Sequence, residues 1–440
     1  MYVAEPPERA ALMESIPNDR LVHALVTLKR TSDYPHWDKL RHLEPPGDLT
    51  HDEWWLATKI RRSDLLRQLP LRDASGRPLG YAMPDEVLRL LHYVDQRCSG
   101  EVAMEEVVTA DEQARQHYLV NSLMEEAIRS SQLEGATTSR RVAKELLRSG
   151  RPPKDRSERM ILNNYRALQF MRERDELTPG TVLELQRILT EGTLEDSADG
   201  GRLQRPEDDR VGVYDLGDGS LIYAPPPAEQ LPARLELLCR FANGTGDDQE
   251  FLHPVVRAIL IHFWVGYEHP FEDGNGRTAR ALFYWSMRRQ GYWLTDYLSI
   301  SHILRKSPTK YSRAYVLTET DEGDATYFLI YQLEVIQRAI DEFYSYLRRK
   351  IREVQEVEQL VKGSAMFNHR QLALLSNAAR NSGRTYTFRS HAASHGVTHE
   401  TARTDLLHLW KRKLLVRRKL GRQYVFTAAP NLGETLKQVA

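Results

Sequence analysis

The stretch Tyr267–Arg280 reads YEHPFEDGNGRTAR and combines a histidine, acids, three small turn-forming residues and two arginines. A Gly-Asn-Gly backbone can turn successive N–H groups towards one anion. A helix that begins there adds further N–H groups and the positive end of its dipole. Gly-Asn-Gly alone is usually only a loop, but the whole combination is typical of phosphoryl or nucleotidyl transfer.

Four side chains of this stretch can carry chemistry. His269 ends the preceding helix, because Pro270 prevents its continuation, and it can act as a general base. Asp273 is a hard oxygen ligand suited to Mg²⁺. Arg277 and Arg280 are three residues apart, so they share a helix face on which an anion can lie.

Other metal and phosphate motifs do not fit the sequence. A calcium EF-hand read from Asp273 would need glycine and glutamate where the chain has Thr278 and Tyr284. The chain has no HExxH zinc motif and no GxxxxGK[ST] phosphate loop. These exclusions leave the joint pattern of base, ligand, glycines and arginines as the main functional signal.

The flanking sequence predicts a mainly α fold with a β-hairpin. Apolar periodicity and end signals predict a buried helix over His253–Glu268 and another from near Gly276. Short β-type runs around Gly-Asp-Gly predict a hairpin within Arg210–Ala224. Further helices are predicted from Asp85, over Ala110–Leu133 and Lys154–Glu173, from Thr178, and on to about Val354.

HPFEDGNGRTAR resembles the Fic signature, HxFx[DE]GNGRxxR, at every fixed position. Members of that family are helical domains that transfer AMP from ATP to a protein hydroxyl and release pyrophosphate. The resemblance implies that His269 deprotonates the target Ser, Thr or Tyr and that Asp273 holds Mg²⁺. It also implies a set of nucleotide-site residues, with Phe271 as a structural anchor: Phe271, Gly274, Asn275, Gly276, Arg277, Arg280 and Tyr311.

Two parts of this implied site have specific roles. Arg280 would hold the γ-phosphate of ATP, while Tyr311 would belong to the adenine pocket, where the family often has paired tyrosines and this chain has Tyr311-Ser312. The hairpin resembles the family's flap, which aligns the target segment by strand pairing. Its predicted residues are Val211, Val213, Tyr214 and Tyr223.

A second motif, SSQLEG at Ser130–Gly135, resembles the family's inhibitory motif, [ST]xxxE[GN]. Ser130 and Glu134 lie one helical turn apart, on one face. The resemblance implies that Glu134 pairs with Arg280, so that ATP binds with its phosphates misplaced for in-line attack. Two alternatives stay open for Glu134: a plain surface acid, or a residue that positions a water for removal of AMP from the target.

The C-terminal region differs in charge from the rest. Between His369 and Tyr424 there are 12 lysines and arginines against two acids, a net charge of +10 in a chain whose total is zero. The pattern resembles a winged helix-turn-helix. It predicts DNA contact, although such modules also serve dimerisation or docking. The predicted contacts are Thr398, His399, Arg403 and Thr404 on the helix, and Arg417, Arg418 and Arg422 on the wing.

Length and composition complete the expectations. The 440 residues, 41% hydrophobic and 28% charged, predict several globular domains. Predicted segments are 1–105 (a Fic-associated region), 106–350 (the Fic domain, with the inhibitory helix at about 110–135), 351–365 (a linker) and 366–440 (the winged helix). Two cysteines, an N-terminus unlike a signal peptide and no long apolar run predict a cytoplasmic protein without membrane contact.

Three functions therefore stay open. The first is a self-inhibited, Mg²⁺-dependent protein adenylyltransferase that uses ATP and modifies a protein hydroxyl, with itself as one target. The second is a DNA-binding regulator whose Fic domain senses nucleotide, and the third is an enzyme that removes AMP. An intact base and metal ligand favour the first, and the resemblance implies a homodimer.

Overall fold

The computed structural model describes residues 3–28, 33–99, 112–208, 213–214, 221–223, 225–245, 251–363, 366–380, 383–420 and 423–439. The chain divides into two compact units. One comprises Met1–Gly100 and Leu119–Ile340, and the other comprises Glu101–Tyr118 and Asp341–Ala440. Helices dominate both, and the strands form two-stranded sheets, so the predicted mainly α class is confirmed. Among the described residues, no helix combines the length and apolar character needed to cross a membrane.

The first unit consists mainly of helices, with two short β-hairpins between them. Its strands are β1 (Arg67–Arg72), β2 (Pro78–Tyr81), β3 (Val213–Tyr214) and β4 (Leu221–Tyr223). Its helices are α1 (Arg9–Ser15), α2 (Asn18–Thr27), α3 (Trp37–Leu40), α4 (His51–Ser63), α5 (Asp85–Cys98), α6 (Glu112–Leu133) from Leu119 onwards, α7 (Arg140–Ser149), α8 (Arg156–Arg172), α9 (Pro179–Thr190), α10 (Leu231–Asn243), α11 (Pro254–Glu268), α12 (Asn275–Arg289), α13 (Ile300–Lys306), α14 (Pro308–Thr320) and the start of α15 (Thr326–Gly363).

The centre of this unit is α11, which packs against α12. The predicted buried helix is confirmed, since its apolar residues are all buried: Val255, Val256, Ile259, Leu260, Phe263 and Trp264. Burial of such side chains stabilises the fold by about 1.5–3 kcal/mol each. The two helices therefore give a rigid base to the loop that joins them, residues 269–274.

Local sequence explains where several helices begin. Thr178 caps α9 by accepting a hydrogen bond from the Thr181 N–H, and Pro179 occupies its first turn, as predicted. Asp155 caps α8 in the same way. The start of α12 falls at Asn275, one residue before the predicted position.

The N-terminal segment joins the same unit through a buried polar network. Lys59 of α4 lies 2.6 Å from Asp321, and Arg62 donates to the hydroxyl of Tyr327 at 2.9 Å. Tyr327 in turn donates to Asp321 at 2.7 Å. Because each buried charge here has a partner, the network fixes the N-terminal helices against the start of α15.

The second unit contains the end of α15, α16 (His369–Arg380), α17 (Phe388–His395), α18 (His399–Lys411), β5 (Leu415–Leu420), β6 (Gln423–Ala428) and α19 (Leu432–Val439). Strands β5 and β6 pair antiparallel from Leu415↔Ala428 to Leu420↔Gln423. The predicted charged connector at 351–365 is helical, but as far as Gly363 it is the end of the 38-residue α15 and no separate element. The domain limits drawn from the sequence stay predictions.

Candidate active site

The loop begins with an abrupt change of backbone direction at His269. This residue has φ 44° and ψ 55°, in the left-handed region that residues other than glycine rarely adopt. Its N–H still donates to the Val265 carbonyl at 3.0 Å. The helix thus ends on a strained histidine held by its last hydrogen bond, an arrangement that is concentrated at functional sites.

Asn275 closes the loop with its side chain. Its Oδ1 accepts from the Phe271 N–H at 2.9 Å, and its Nδ2 donates to the Phe271 carbonyl at 2.7 Å. Phe271 is fully buried, as expected for an anchor. Two neighbours hold the loop from outside: the Gln204 N–H donates to the Pro270 carbonyl at 3.0 Å, and Gln186 Nε2 donates to the Asp273 carbonyl at 3.0 Å.

Two glycines of the loop are required by space. Gly274 has φ 89°, and a Cβ there would lie 3.1 Å from Thr190 Cγ2. A Cβ on Gly276 would lie 3.0 Å from Cδ of Glu134 and 3.0 Å from a terminal nitrogen of Arg280. The space over the first turn of α12 is therefore shared by a carboxylate and a guanidinium.

The two arginines of the motif have different partners. Arg277 is fully buried and donates to the Leu189 carbonyl and to Asp273 Oδ1, both at 2.9 Å. Arg280 is 1% exposed and contacts α6 instead. The spacing predicts that both arginines face one anion, but their side chains contact different elements. Arg277 ties the loop to α9, and Arg280 contacts Ser130 and Glu134.

The predicted ion pair between Arg280 and Glu134 is present. Arg280 NH2 lies 2.8 Å from Glu134 Oε1, and Arg280 Nε donates to Ser130 Oγ at 2.9 Å. Arg280 NH1 is buried, and no residue that the structure describes forms a hydrogen bond with it. Burial is the largest single influence and lowers the pKa of Arg280, but the charge and hydrogen bond of Glu134, together with Tyr311 and Glu126, raise that pKa above its ordinary value. Gly135, at φ 92°, turns the chain away after the glutamate.

Asp273 is a partly exposed carboxylate at the end of the loop, next to the start of α12. Its Oδ1 accepts from the Gly274 N–H at 2.5 Å and from Arg277, and its Oδ2 lies 3.4 Å from Arg156. Its side chain is 31% exposed. Mg²⁺ is usually held by one or two carboxylates together with substrate phosphates, so this single acid fits such an ion. Within the described part of the chain, no three His, Cys, Asp or Glu residues cluster as a metal site.

Tyr311 contacts a histidine that the sequence reasoning missed. Its hydroxyl lies 2.8 Å from Nε2 of His262, in the middle of α11. Burial lowers the pKa of His262 to about 3, and the nearby Arg280 charge acts in the same direction, so the imidazole is neutral. The sequence signal for His262 was a single histidine among the apolar residues of the buried helix α11. The Tyr311 ring also faces Tyr315 and Phe328.

The predicted flap is a short antiparallel hairpin. Strands β3 and β4 pair Val213 with Tyr223 and Tyr214 with Leu221. Val211 lies outside the described residues. The hairpin itself is thus confirmed, and its role in holding a target segment stays a prediction.

In the second unit, the residues predicted for DNA lie on α18 and the β5–β6 hairpin. Thr398 caps α18, and His399, Arg403 and Thr404 are exposed on its first turns. Arg418 is exposed on β5, whereas the Arg417 guanidinium lies 3.8 Å from the Trp410 ring centre and 4.6 Å from that of Tyr424. Arg422 lies outside the described residues.

The chain is similar to known proteins over this part of its sequence. Residues 176–287 match the family model described as Fic/DOC family. The protein adenylyltransferase Fic of Nematostella vectensis is 28% identical over 121 residues, which are 28% of this chain and 26% of that protein. The protein of the same name from Drosophila grimshawi is 36% identical over 119 residues, or 27% of this chain and 21% of that protein.

A solved structure supports the fold over a longer range. The crystal structure of a Fic family protein from Desulfovibrio desulfuricans G20 matches with a TM-score of 0.53 at 18% identity, and it covers 80% of this chain and 98% of that one. The chain spans less than a third of the length of the curated relatives it matches. The similarity to the Fic/DOC family is therefore carried by the domain at residues 176–287.

Proposed function

We propose that the chain is a self-inhibited protein adenylyltransferase that transfers AMP from ATP to a Ser, Thr or Tyr hydroxyl of a protein. The observation that carries the proposal is the Glu134 carboxylate, which lies over Gly276 and pairs with the buried Arg280. A carboxylate held in an anion cradle imitates the group that the cradle is built to bind. The same contact supplies the inhibition.

In the proposed reaction, the target hydroxyl attacks the α-phosphorus of ATP. The new bond joins the hydroxyl oxygen to phosphorus, while the bond from the α-phosphorus to the bridging oxygen breaks and pyrophosphate leaves. His269 takes the hydroxyl proton as general base. N–H groups at the start of α12 hold the phosphates, and Arg280 holds the γ-phosphate once Glu134 withdraws.

Other residues fix these groups in place. Asn275 closes the loop on Phe271, and Arg277 ties it to α9, so the phosphate cradle needs little reorganisation when nucleotide binds. Tyr311 and His262 support Arg280 from the core. Asp273 would hold Mg²⁺, which supplies neutralisation of the phosphate charge when bound.

The position of the label in ATP tests the transferred group. We expect purified Glu134→Gly protein with Mg²⁺ to incorporate label from ATP labelled on the α-phosphate. The same protein should incorporate none from ATP labelled on the γ-phosphate. Incorporation from the γ-phosphate alone would show transfer of a phosphoryl group and contradict the proposal. The protein itself serves as the acceptor, which also tests the predicted self-modification.

Removal of AMP is a second use of the same site. In that reaction the Glu134 carboxylate positions a water that attacks the phosphorus of the attached AMP. The bond from phosphorus to the protein oxygen breaks, AMP leaves, and a proton from the water restores the protein hydroxyl. Glu134→Gln separates the two functions, because it should raise transfer and abolish removal. Protein labelled by the Glu134→Gly variant can be incubated with wild-type protein, and the release of AMP measured.

DNA binding is the second candidate function, favoured by the exposed polar and basic residues at the start of α18 and along β5. Thr398, His399 and Arg403 are exposed there, and Arg418 continues the positive surface. We propose that residues 366–440 form a winged helix that contacts duplex DNA. For such binding, log K falls linearly with log salt, and each phosphate that the protein neutralises adds about 0.9 to the steepness of that slope.

The matching experiment compares two single variants. Arg418→Ala should reduce the steepness of the salt slope by about 0.9, the value for a single phosphate. Lys437→Ala, which removes a cation of α19 that is paired with Glu356, should leave the slope unchanged. Equal slopes for wild type and Arg418→Ala would contradict the assignment. A homodimeric state and a cytoplasmic location stay predictions, testable by sedimentation and by cell fractionation.

A further inference from the structure

The inhibitory helix and α12 face each other through three matched pairs of positions. On one side the positions are Glu126 and Ser130 of α6 and Glu134 directly after its last residue, and on α12 they are Gly276, Arg280 and Tyr284. A spacing of four places each set on one helix face. Glu134 lies over Gly276, and Ser130 accepts from Arg280. Glu126 and Tyr284 interact at the far end.

Among these six residues, Glu126 belongs neither to the loop motif at 269–280 nor to the inhibitory motif at 130–135. It lies two turns before Glu134 and is 3% exposed. Its carboxylate accepts from Ser299 Oγ at 2.8 Å, from the Ser301 N–H at 3.2 Å and from Ser301 Oγ at 2.5 Å. These donors lie at the beginning of α13, so Glu126 connects α6 to an element beyond α12.

Burying the ionised carboxylate of Glu126 between helices costs free energy. Burial raises the pKa of Glu126 above its ordinary value, which measures the cost of keeping the charged form there. An apolar side chain of similar size would often stabilise the contact more. Directional hydrogen bonds, however, fix the position of a helix along its axis, which apolar packing does less strictly.

Other contacts hold α6 to a different neighbour. Asn164 of α8 donates to the Ala127 carbonyl at 3.2 Å, and Ser131 Oγ donates to the Met160 carbonyl at 3.2 Å. These bonds keep α6 on α8 when Glu126 is removed. The hydrogen bonds of Glu126 therefore concern where α6 lies against α12 and α13.

We propose that Glu126 is a positioning residue, which fixes the position of α6 along its axis so that Glu134 reaches Arg280. This inference rests on the proposed function, because it concerns how the inhibition of that site is maintained. Without the hydrogen bonds of Glu126, α6 can shift against α12. The Glu134–Arg280 pair then forms in a smaller fraction of molecules, and Arg280 becomes available to the γ-phosphate.

The test uses two neighbouring acids of α6. Glu126→Ala should raise incorporation of AMP from α-labelled ATP by about tenfold, which corresponds to about 1.4 kcal/mol, close to the value of one hydrogen bond to a charged group. Glu125→Ala is the matched control, since Glu125 pairs with Arg129, Arg140 and Lys144 on α6 and α7. It should change incorporation little.

Two further variants separate positioning from other effects. Ser301→Ala removes one donor from the site and should raise incorporation in the same direction, with less risk to folding. In Glu126→Ala/Glu134→Gly, incorporation should equal that of Glu134→Gly alone, because the inhibition is already absent. A further rise in that double variant would show that Glu126 acts elsewhere and would overturn the inference.

Hydrogen exchange gives a readout that does not depend on activity. Glu126→Ala should speed exchange of the α6 amides before Glu134, and Glu125→Ala should leave these amides near the wild-type rate. If Glu134→Gly incorporates label while Glu126→Ala changes neither label nor exchange, the inference is wrong and the proposed function stands. If Glu134→Gly incorporates none, the proposed function fails, and exchange alone decides whether Glu126 positions the helix.

Discussion

Arg280 NH2 lies 2.8 Å from Glu134 Oε1, although 146 residues separate the two in the chain. The arginine is almost fully buried, whereas the glutamate side chain is 31% exposed. The contact therefore joins a fixed cation to an acid at the edge of the site. An exposed partner can withdraw at a lower cost than a buried one, which suits a reversible inhibitor.

Arg280 should determine the preference for a triphosphate. In the Glu134→Gly background, ATP should bind more tightly than ADP, because the γ-phosphate meets a freed guanidinium. Arg280→Ala should remove most of that difference, about 1.5–3 kcal/mol for hydrogen bonds to a charged group. Titration calorimetry with both nucleotides measures it. An unchanged difference would place the γ-phosphate elsewhere.

His269 should affect chemistry and not binding. In the Glu134→Gly background, His269→Ala should reduce the rate of AMP incorporation by about 10²–10⁴-fold, the usual contribution of a general base. The affinity for ATP should change little, because the phosphates are held by the backbone of α12 and by Arg280. A parallel loss of ATP binding would indicate that the histidine holds the loop or the nucleotide.

Asn275 should be needed for the shape of the loop. Asn275→Ala removes both hydrogen bonds to the Phe271 backbone and leaves buried polar groups without partners. We expect the free energy of unfolding to fall by about 1–3 kcal/mol for each group left unsatisfied, together with weaker ATP binding. Thermal unfolding and nucleotide titration measure the two effects. Gln204→Ala is a milder control, since it keeps the backbone bond from residue 204 to Pro270.

Two buried histidines should reduce stability as the pH is lowered from 7 towards 5, whereas Glu319, whose pKa burial raises to about 8, acts in the opposite direction. Burial lowers the pKa of His262 to about 3 and that of His36 to about 4 in the folded chain, whereas an unfolded histidine has a pKa of about 6.5. Below pH 6.5 the unfolded state therefore binds more protons at His262 and His36 than the folded state does. Stability is lost by up to about 1.4 kcal/mol per pH unit for each histidine.

The variant His262→Phe should flatten this dependence. It removes a group that resists protonation in the folded state, so the melting temperature should decline less between pH 7 and pH 5. Melting curves at several pH values compare the variant with wild type. Parallel declines would show that His262 does not contribute to the pH dependence.

The loop and its helices were predictable because local rules act there. Pro270 ends α11, the glycines permit the turn, and the apolar stripe of α11 requires burial, so the sequence places these elements to within a residue or two. The Glu134–Arg280 contact followed from resemblance to a motif. No local pattern reveals that two segments so far apart in the chain will meet.

Other features depended on tertiary packing and were missed. The spacing of Arg277 and Arg280 places them on one helix face, yet Arg277 donates to Leu189 of α9 and Arg280 donates to Ser130 of α6. No sequence pattern marks Glu126, because its partners Ser299 and Ser301 lie far along the chain. The continuous α15 replaced a separate connector, since nothing between 351 and 363 interrupts a helix.

One labelling experiment tests most directly whether Glu134 holds the site around His269 inactive. Wild type, Glu134→Gly and Glu134→Gly/His269→Ala are each incubated with Mg²⁺ and ATP labelled on the α-phosphate. We predict little label on wild type, strong label on Glu134→Gly and none on the double variant. Equal labelling of wild type and Glu134→Gly would contradict self-inhibition, and undiminished labelling of the double variant would contradict the role of His269.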